Sequence, residues 1–350
     1  MSNFIKRVKK KAIDKTIIPD FFILKSKFVD NRNEKFETSK ISILNTSLNS
    51  DNLGDEIINL YCNNILKELN VIPNEQISTH SLDNKIISNH DLKLITGTNL
   101  LTSSMNAIGV WKHPQDFTKI SNVGLMGVGW GLYTGKPNYY TKVFLNSILS
   151  KSFIHSVRDS YTLEKLNSIG VSNVLNTACP TMWNLTTDFC EKIPKKKSEN
   201  VVTTVTDYDK NIKKDFKMLD ILLKNYNKVY VWIQGEHDLE YLRRYERFNN
   251  LVVIKNSLAA YTKVLQSQAS IDYVGTRLHA GIHALNNKRR SIIIAIDNRA
   301  TEIAKDTKLP IIERDNVSEK LDLVINKSFQ TSIRLPLGNI NKWKAQFIKH

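Results

Sequence analysis

An arginine and a histidine stand two positions apart where the sequence changes from one structural pattern to another. Ile271–Val274 is a short β-branched and aromatic run that predicts a strand, and Gly275 ends it. Thr276 suits the N-cap of the following helix, so Arg277 and His279 are predicted in its first turn, beside unpaired backbone N–H groups. A guanidinium, a titratable imidazole and a helix N-terminus together favour an anion such as phosphate or carboxylate.

The next apolar run, Ser291–Ile296, is predicted to be a neighbouring parallel strand that ends in three polar residues. A right-handed βαβ unit brings the carboxyl ends of its strands to one edge of the sheet. The candidate residues at this edge are Thr276, Arg277, His279, Asp297, Asn298 and Arg299. Spacing alone also allows a structural role, in which Arg277 pairs with Asp297 or Asp272. His279 could likewise be a capping residue.

The N-terminal half contains a second strand, polar loop and helix start. Ile41–Leu44 predicts the first strand, and the loop after it leads to a helix near Asp55. This helix start is a second candidate anion cradle, although Asp55 could simply cap the helix. Other predicted strands also end in small, polar or cationic residues. The loop residues singled out in this way are Asn52, Gly54, Gly97, Gly129, Arg158 and Gln234.

The chain has 350 residues, of which 41% are hydrophobic and 24% charged, and this composition excludes bulk disorder. Its formal net charge of +16 favours anionic partners. The basic residues are spread along the chain without a recognisable nucleic-acid module, so no nucleic acid is predicted as a partner. Three cysteines without metal-ligand spacing support neither a disulfide framework nor a zinc site, and no metal or redox cofactor is predicted.

The chain has no apolar run near the ~20 residues that a membrane helix requires, and its N-terminus lacks a secretory signal pattern. We therefore predict a cytoplasmic protein. Asn3–Ile18 alternates apolar and basic residues, which favours either peripheral contact with the inner face of the membrane or a solvated terminus. Aromatic residues such as Trp343 alternate with lysines near the C-terminus, and that tail could equally pack on the body of the protein.

The segment 191–200, EKIPKKKSEN, is predicted to be a linker because charge and proline replace every sign of a core. After it, strand and helix patterns alternate regularly, which predicts an α/β fold with a parallel sheet. The predicted organisation is a basic amphipathic segment at 1–40, an N-terminal Rossmann-like domain at 41–190, the linker at 191–200, a C-terminal Rossmann-like domain at 201–328 and a basic, aromatic tail at 329–350.

Four motifs in this order resemble those of the polysaccharide pyruvyl transferases. They are Asn52-Leu53-Gly54-Asp55, the glycine-rich stretch Gly127–Gly131, Val157-Arg158-Asp159-Ser160-Tyr161-Thr162 and Arg277-Leu278-His279-Ala280. The resemblance implies two Rossmann-like domains that face a cleft, as in GT-B-type glycosyltransferases, with the acceptor on the first domain and the donor on the second. It also implies transfer of a pyruvyl group from phosphoenolpyruvate to paired sugar hydroxyls, which forms a cyclic ketal.

The resemblance assigns the residues roles. Arg277 would bind phosphate or carboxylate, His279 would be the acid or base, and Asp55 would orient an acceptor hydroxyl. The sequence also departs from the family pattern. The strand that begins at Val201 ends in Val205-Thr206-Asp207-Tyr208, where the family usually has an arginine. Arg158 and Arg299 would supply the positive charge of the missing arginine. Cys179-Pro180 stands where Asp-Pro is usual, and the segment near Gly97 is reduced to Thr-Gly-Thr-Asn.

Two alternatives are compatible with the same residues. A glycosyltransferase of the same fold would bind the diphosphate of a nucleotide sugar through Arg277, His279 and Arg299, and the polar run Gln234–Asp238 would suit ribose or sugar hydroxyls. A non-catalytic protein that binds sugars or assists assembly is the third interpretation. The predicted partners are an anionic small-molecule donor and a sugar, oligosaccharide or lipid-linked acceptor.

Overall fold

The computed structural model describes residues 21–26, 40–80, 91–107, 111–114, 116–267 and 270–348. The predicted amphipathic segment Asn3–Ile18 lies outside these residues. The chain divides into two compact units. The described parts of the first unit run up to Asn49, from Cys62 to Thr177 and from Leu337 onward, and the second unit comprises Ser50–Tyr61 and Ala178–Pro336.

The first unit is built on parallel strands. Its strands are β1 (Ile41–Asn45), β2 (Gln76–Ser78), β3 (Leu92–Thr96), β4 (Val123–Met126), β5 (His155–Val157) and β6 (Val174–Asn176). The first four form a sheet in the order β2-β1-β3-β4, and β5 and β6 form a parallel pair. All residues of β1 and β3 are buried, as in parallel sheets that are covered on both faces.

Helices also contribute to the first unit. They are α1 (Leu53–Glu68), whose first half belongs to the second unit, α2 (Tyr139–Ile148), α3 (Ser160–Ser168) and a C-terminal helix (Leu337–Ala345). Trp343 of the C-terminal helix is fully buried and meets the ring of Phe153 edge-on at 6.0 Å. Trp343 of the predicted tail therefore packs in the first unit.

The second unit contains a six-stranded parallel sheet. Its strands are β7 (Asn200–Thr203), β8 (Lys228–Trp232), β9 (Leu251–Ile254), β10 (Ile271–Gly275), β11 (Ser291–Ala295) and β12 (Ile311–Glu313). They are arranged in the order β12-β11-β10-β7-β8-β9, which is the strand order of the doubly wound dinucleotide-binding fold. In this order the chain reverses direction across the sheet between β7 and β10, and ligands of such sheets bind beyond the strand ends at that switch point.

Helices connect these strands. They are α4 (Thr187–Cys190), α5 (Ile212–Asn225), α6 (Asp238–Leu242), α7 (Leu258–Ser267), α8 (Leu278–Asn286), α9 (Asn298–Thr307) and α10 (Val317–Asn326). Among the described residues, no helix is both long and apolar enough to cross a membrane. The α/β class with parallel sheets is confirmed. The predicted cleft between two domains stays a prediction.

The division of the chain differs from the predicted domain boundary. Along the chain, the stretch of the first unit that begins at Cys62 ends at Thr177 and the second unit continues from Ala178, so the predicted linker 191–200 lies inside the second unit. Ile193 in this segment is 2% exposed and joins an apolar core cluster. The backbone N–H of Phe329 also donates to Lys195 O at 3.1 Å. Burial and backbone pairing thus outweigh the linker-like composition of this charged segment.

Candidate functional site

Arg277 lies just beyond the carboxyl end of β10, beside the switch point of the second unit. The helix α8 begins one residue later than predicted, so its N-cap is Arg277, and no side chain caps it there. Thr276 does not cap the helix, because its N–H and hydroxyl donate to Thr204 O at 3.1 and 3.2 Å. Its hydroxyl also lies 2.8 Å from that of Thr206. Thr276 therefore extends the pairing of β10 with the chain after β7.

The guanidinium of Arg277 is held by two carboxylates. Its side chain is 3% exposed, and Nη2 donates to Asp238 Oδ1 at 2.5 Å and to Asp207 Oδ1 at 3.1 Å. Nε donates to Val205 O at 3.2 Å. Nη1 has no hydrogen-bond partner within the part of the chain that the structure describes. The structural alternative of pairing with Asp297 or Asp272 was wrong, because the partners are Asp207 and Asp238.

The Asp238 carboxylate contacts residues that follow three different strands. Its side chain is fully buried, Oδ1 accepts from the backbone N–H of Asp207 at 3.0 Å, and Oδ2 accepts from that of Gly235 at 2.7 Å. A Cβ on Gly235 would lie 2.5 Å from Arg277 Nη2, so glycine lets the guanidinium lie against this loop. Burial raises the pKa of Asp238, and the charge of Arg277 opposes that shift. The sequence alone assigned this run only to ribose or sugar hydroxyls and did not predict that Asp238 holds Arg277.

A second arginine lies near the same aromatic ring as Arg277. Arg299 Nε donates to Asp297 Oδ2 at 2.8 Å, and its Nη2 donates to the hydroxyl of Tyr208. The guanidinium carbons of Arg277 and Arg299 lie 4.9 and 5.7 Å from the centre of the Tyr208 ring. Asp297 also caps α9 by accepting from the N–H of Arg299 at 2.9 Å, and Asn298, which is buried, is the first residue of that helix.

His279, the second residue of α8, is 6% exposed and contacts a thiol. Its Nε2 lies 3.8 Å from Cys179 Sγ, and the hydroxyl of Thr181 donates to the same sulfur at 3.1 Å. Cys179 and His279 are 100 positions apart, and the sequence offered no spacing that connects them. The signal that could have found this contact is the unusual Cys-Pro that replaces the Asp-Pro of the resembled family.

The loop before α1 and the end of β8 form a hydrogen-bonded pair within the second unit. Asn52 Oδ1 accepts from Gln234 Nε2 at 2.8 Å and from the N–H of Gly54 at 3.0 Å. The backbone N–H of Leu53 donates to Gln234 O at 3.2 Å. Asp55 is 7% exposed, lies in the first turn of α1 and accepts from the hydroxyl of Ser50 at 2.7 Å. The structure thus brings Asn52, Gly54 and Gln234 together.

Arg158 lies in the first unit, after β5, and is 1% exposed. Its Nε lies 3.2 Å from Asp159 Oδ2, and its Nη2 donates to Asn99 Oδ1. A Cβ on Gly129 would lie 2.3 Å from Arg158 Nε, so the guanidinium occupies the space that a side chain would take. Gly97 has a φ of 74°, which suits glycine at the end of β3. Arg158, Asp159, Asn99 and Gly129 thus form a cluster within the first unit.

We expect Gly129→Ala to lower the free energy of unfolding by about 1–3 kcal/mol, the usual cost of overpacking a buried site. The added methyl group would displace the Arg158 guanidinium from Asp159 and Asn99. Urea unfolding followed by circular dichroism would measure the loss. Gly135→Ala is the matched control, because a Cβ there meets nothing within 4 Å. Equal stability of the two variants would contradict this account.

Among the described residues, no group of three or more His, Cys, Asp and Glu side chains is placed to hold a metal ion. The charged cluster of the second unit consists of arginines and aspartates around Tyr208. The second unit is thus a doubly wound α/β sheet with this cluster and His279 beyond the carboxyl ends of its strands.

Comparison with known proteins identifies the family of the chain. The model of the family described as polysaccharide pyruvyl transferase matches residues 52–298, and the chain belongs to that family. Membership indicates a transferase-type enzyme of polysaccharide biosynthesis. No curated protein sequence matches the chain.

Several solved structures are remotely similar. MnaA of S. aureus with UDP is 8% identical, with 89% of this chain and 97% of that chain covered and a TM-score of 0.45. UDP-GlcNAc 2-epimerase of Methanocaldococcus jannaschii is 9% identical, with 87% and 97% covered and a TM-score of 0.49. The wall teichoic acid polymerase TagF is 11% identical, with 98% and 88% covered and a TM-score of 0.39. Likenesses this remote assign no ligand to the chain.

Proposed function

We propose that the protein transfers the pyruvyl group of phosphoenolpyruvate to two hydroxyls of a sugar and forms a cyclic ketal on a surface polysaccharide or its lipid-linked precursor. The observation that carries this proposal is the family match over residues 52–298, which includes the Arg277-Leu278-His279-Ala280 motif. The position of that motif supports it, because Arg277 follows a strand at the switch point of the sheet, where doubly wound folds bind ligands.

The reaction requires an acid and an anion site. An acid protonates the methylene carbon of phosphoenolpyruvate while one sugar hydroxyl attacks the adjacent carbon and gives up its proton. Phosphate then leaves, and the second hydroxyl attacks the same carbon and loses its proton as the ketal closes. His279 is the candidate acid or base, since imidazole exchanges protons near neutral pH. Asp55 is the candidate residue that orients an acceptor hydroxyl.

Arg277 would stabilise the negative charge on the departing phosphate. Its Nε and Nη2 already donate to Val205, Asp207 and Asp238, so the contact with a ligand would be made through Nη1. The N-terminus of α8 adds backbone N–H groups and the positive end of the helix dipole. This contact differs from the side-on, two-nitrogen clamp that arginine often makes with an oxyanion.

A nucleotide-sugar donor is the second candidate, and one observation favours it. Tyr208 is 56% exposed, and its ring lies near Arg277 and Arg299. An exposed ring held beside two cations offers a stacking surface for a base or a sugar ring. Phosphoenolpyruvate has no ring to place there, whereas a nucleotide sugar has several.

Ligand binding separates the two donors. We expect phosphoenolpyruvate at 100 times its Kd to raise the free energy of unfolding by about 2.7 kcal/mol, because it binds only the folded protein. Thermal shift and calorimetry with phosphoenolpyruvate and a panel of nucleotide sugars would measure this effect. Phosphate release should then require a sugar acceptor as well as phosphoenolpyruvate.

Stabilisation by uridine nucleotides without any response to phosphoenolpyruvate would refute the pyruvyl donor and support the glycosyltransferase. If no donor binds but sugars do, the protein is a non-catalytic sugar-binding or assembly protein. Acceptor fragments with and without a free pair of neighbouring hydroxyls are matched controls for phosphate release, because only a pair can form the ketal.

A further inference from the structure

The two carboxylates that share Arg277 Nη2 are held very differently. Asp238 is fully buried and accepts at 2.5 Å from Arg277, and it also accepts from the backbone N–H groups of Gly235 and Asp207. The Asp207 side chain is 18% exposed and accepts from Arg277 at 3.1 Å. Asp238 is therefore a fixed partner of the guanidinium, and Asp207 is the looser one.

This asymmetry determines which carboxylate can leave. Removal of Asp238 from Arg277 would leave a charge uncompensated in the interior, and such a change is strongly unfavourable. Asp207 is 18% exposed, so its carboxylate can turn toward water at a smaller cost than the fully buried carboxylate of Asp238. A ligand that binds Arg277 therefore has to displace only the carboxylate of Asp207.

The net charge of the cluster affects how strongly an anion is attracted to Arg277. Two guanidiniums, those of Arg277 and Arg299, lie among three carboxylates, those of Asp207, Asp238 and Asp297. With all of these groups ionised, carboxylates outnumber cations by one. An incoming anion is therefore attracted to Arg277 more strongly when one carboxylate moves away from it.

We propose that Asp207 is a displaceable counter-charge that determines how tightly the site binds anions. The anionic group of the donor takes its place beside Arg277, and its return favours the release of phosphate after the reaction. Asp207 is thus a specificity-determining residue, which selects against tight retention of phosphate and other small anions. The proposal rests on the proposed function for the identity of the donor, but it requires only that the site binds an anion.

The test is Asp207→Asn, which keeps the shape of the side chain and removes its charge. Calorimetry with inorganic phosphate, phosphoenolpyruvate and UDP should show Kd values at least about threefold lower than in the unchanged protein for the probes that bind, because one nearby repulsive charge is gone. The gain should shrink at higher salt, which screens charges. The melting temperature should stay close to that of the unchanged protein.

Asp209→Asn is the matched control, since it removes the same charge two positions away. The Asp209 carboxylate accepts from Arg314 Nη2 at 2.8 Å and does not contact Arg277. We expect this control to leave the Kd values within a factor of about two. Equal tightening in both variants would show an effect of overall charge and overturn the proposal.

Unchanged or weaker anion binding in Asp207→Asn would also overturn it, as would the failure of all three probes to bind either the unchanged protein or this variant. The proposed function can fail separately. If phosphate or UDP binds more tightly to the variant while phosphoenolpyruvate binds neither protein, the role of Asp207 stands and the donor is wrong. If phosphoenolpyruvate is turned over but its Kd is the same in both proteins, the function stands and the role of Asp207 is refuted.

Discussion

Replacement of His279 by alanine should leave the fold intact and lower turnover by about 10²–10⁴-fold, the usual contribution of a general acid or base. The imidazole is 6% exposed and lies at the start of α8, next to Arg277. Alanine favours helices, so the backbone of α8 should persist. Phosphate release from phosphoenolpyruvate in the presence of an acceptor would measure the loss, and circular dichroism would test the fold.

The matched control is His283→Gln, in the other histidine of the same helix. The His283 ring lies within hydrogen-bond distance of Tyr61 at 3.0 Å and Thr262 at 2.9 Å, and burial lowers its pKa to about 4. It is therefore neutral at physiological pH and has a packing role, so this variant should lose stability but keep its turnover. Unchanged turnover in His279→Ala would make His279 a structural residue and remove the acid from the proposed mechanism.

Replacement of Arg277 by glutamine should lower the free energy of unfolding by about 3–5 kcal/mol, the usual cost of removing one member of a buried ion pair. Asp238 is fully buried and would lose its cation. The same variant should lose anion binding, because Nη1 is the nitrogen available to the ligand. Urea unfolding and calorimetry with phosphoenolpyruvate would measure the two effects separately.

The stability lost in Arg277→Gln should depend on pH. Burial already raises the pKa of Asp238, and loss of the opposing cation would raise it further. An acid with a raised pKa in the folded state destabilises the protein as pH rises from its unfolded value, about 3.9, through the raised pKa. Because the pKa of Asp238 is raised in both proteins, the deficit should grow with pH between its folded pKa in the unchanged protein and its higher folded pKa in the variant.

A double variant and a surface control test this explanation. Addition of Asp238→Asn to Arg277→Gln removes the uncompensated charge, so part of the lost stability should return. Arg247→Gln breaks an exposed pair with Asp220 and should cost less than about 1 kcal/mol. A cost in Arg277→Gln as small as in Arg247→Gln would show that the pair with Asp238 contributes little.

The sequence by itself determined the local elements around the site. The β-branched run that ends at Gly275 predicted β10, which spans Ile271–Gly275, and the helical spacing after it predicted α8. The run Ser291–Ile296 similarly predicted β11, observed at Ser291–Ala295. These predictions succeed because strand and helix periodicity depend on residues close in sequence. The motif order also indicated the family.

Only the tertiary structure decided which side chains meet. Arg277 pairs with Asp207 and Asp238, which are 70 and 39 positions away, and His279 meets Cys179 from 100 positions away. Strand order brings these loops to one edge of the sheet, and no local pattern contains that order. The segment 191–200 was likewise misread as a linker, because the burial of Ile193 depends on partners elsewhere in the chain. Sequence periodicity therefore located Arg277, while strand order and burial determined its charge environment.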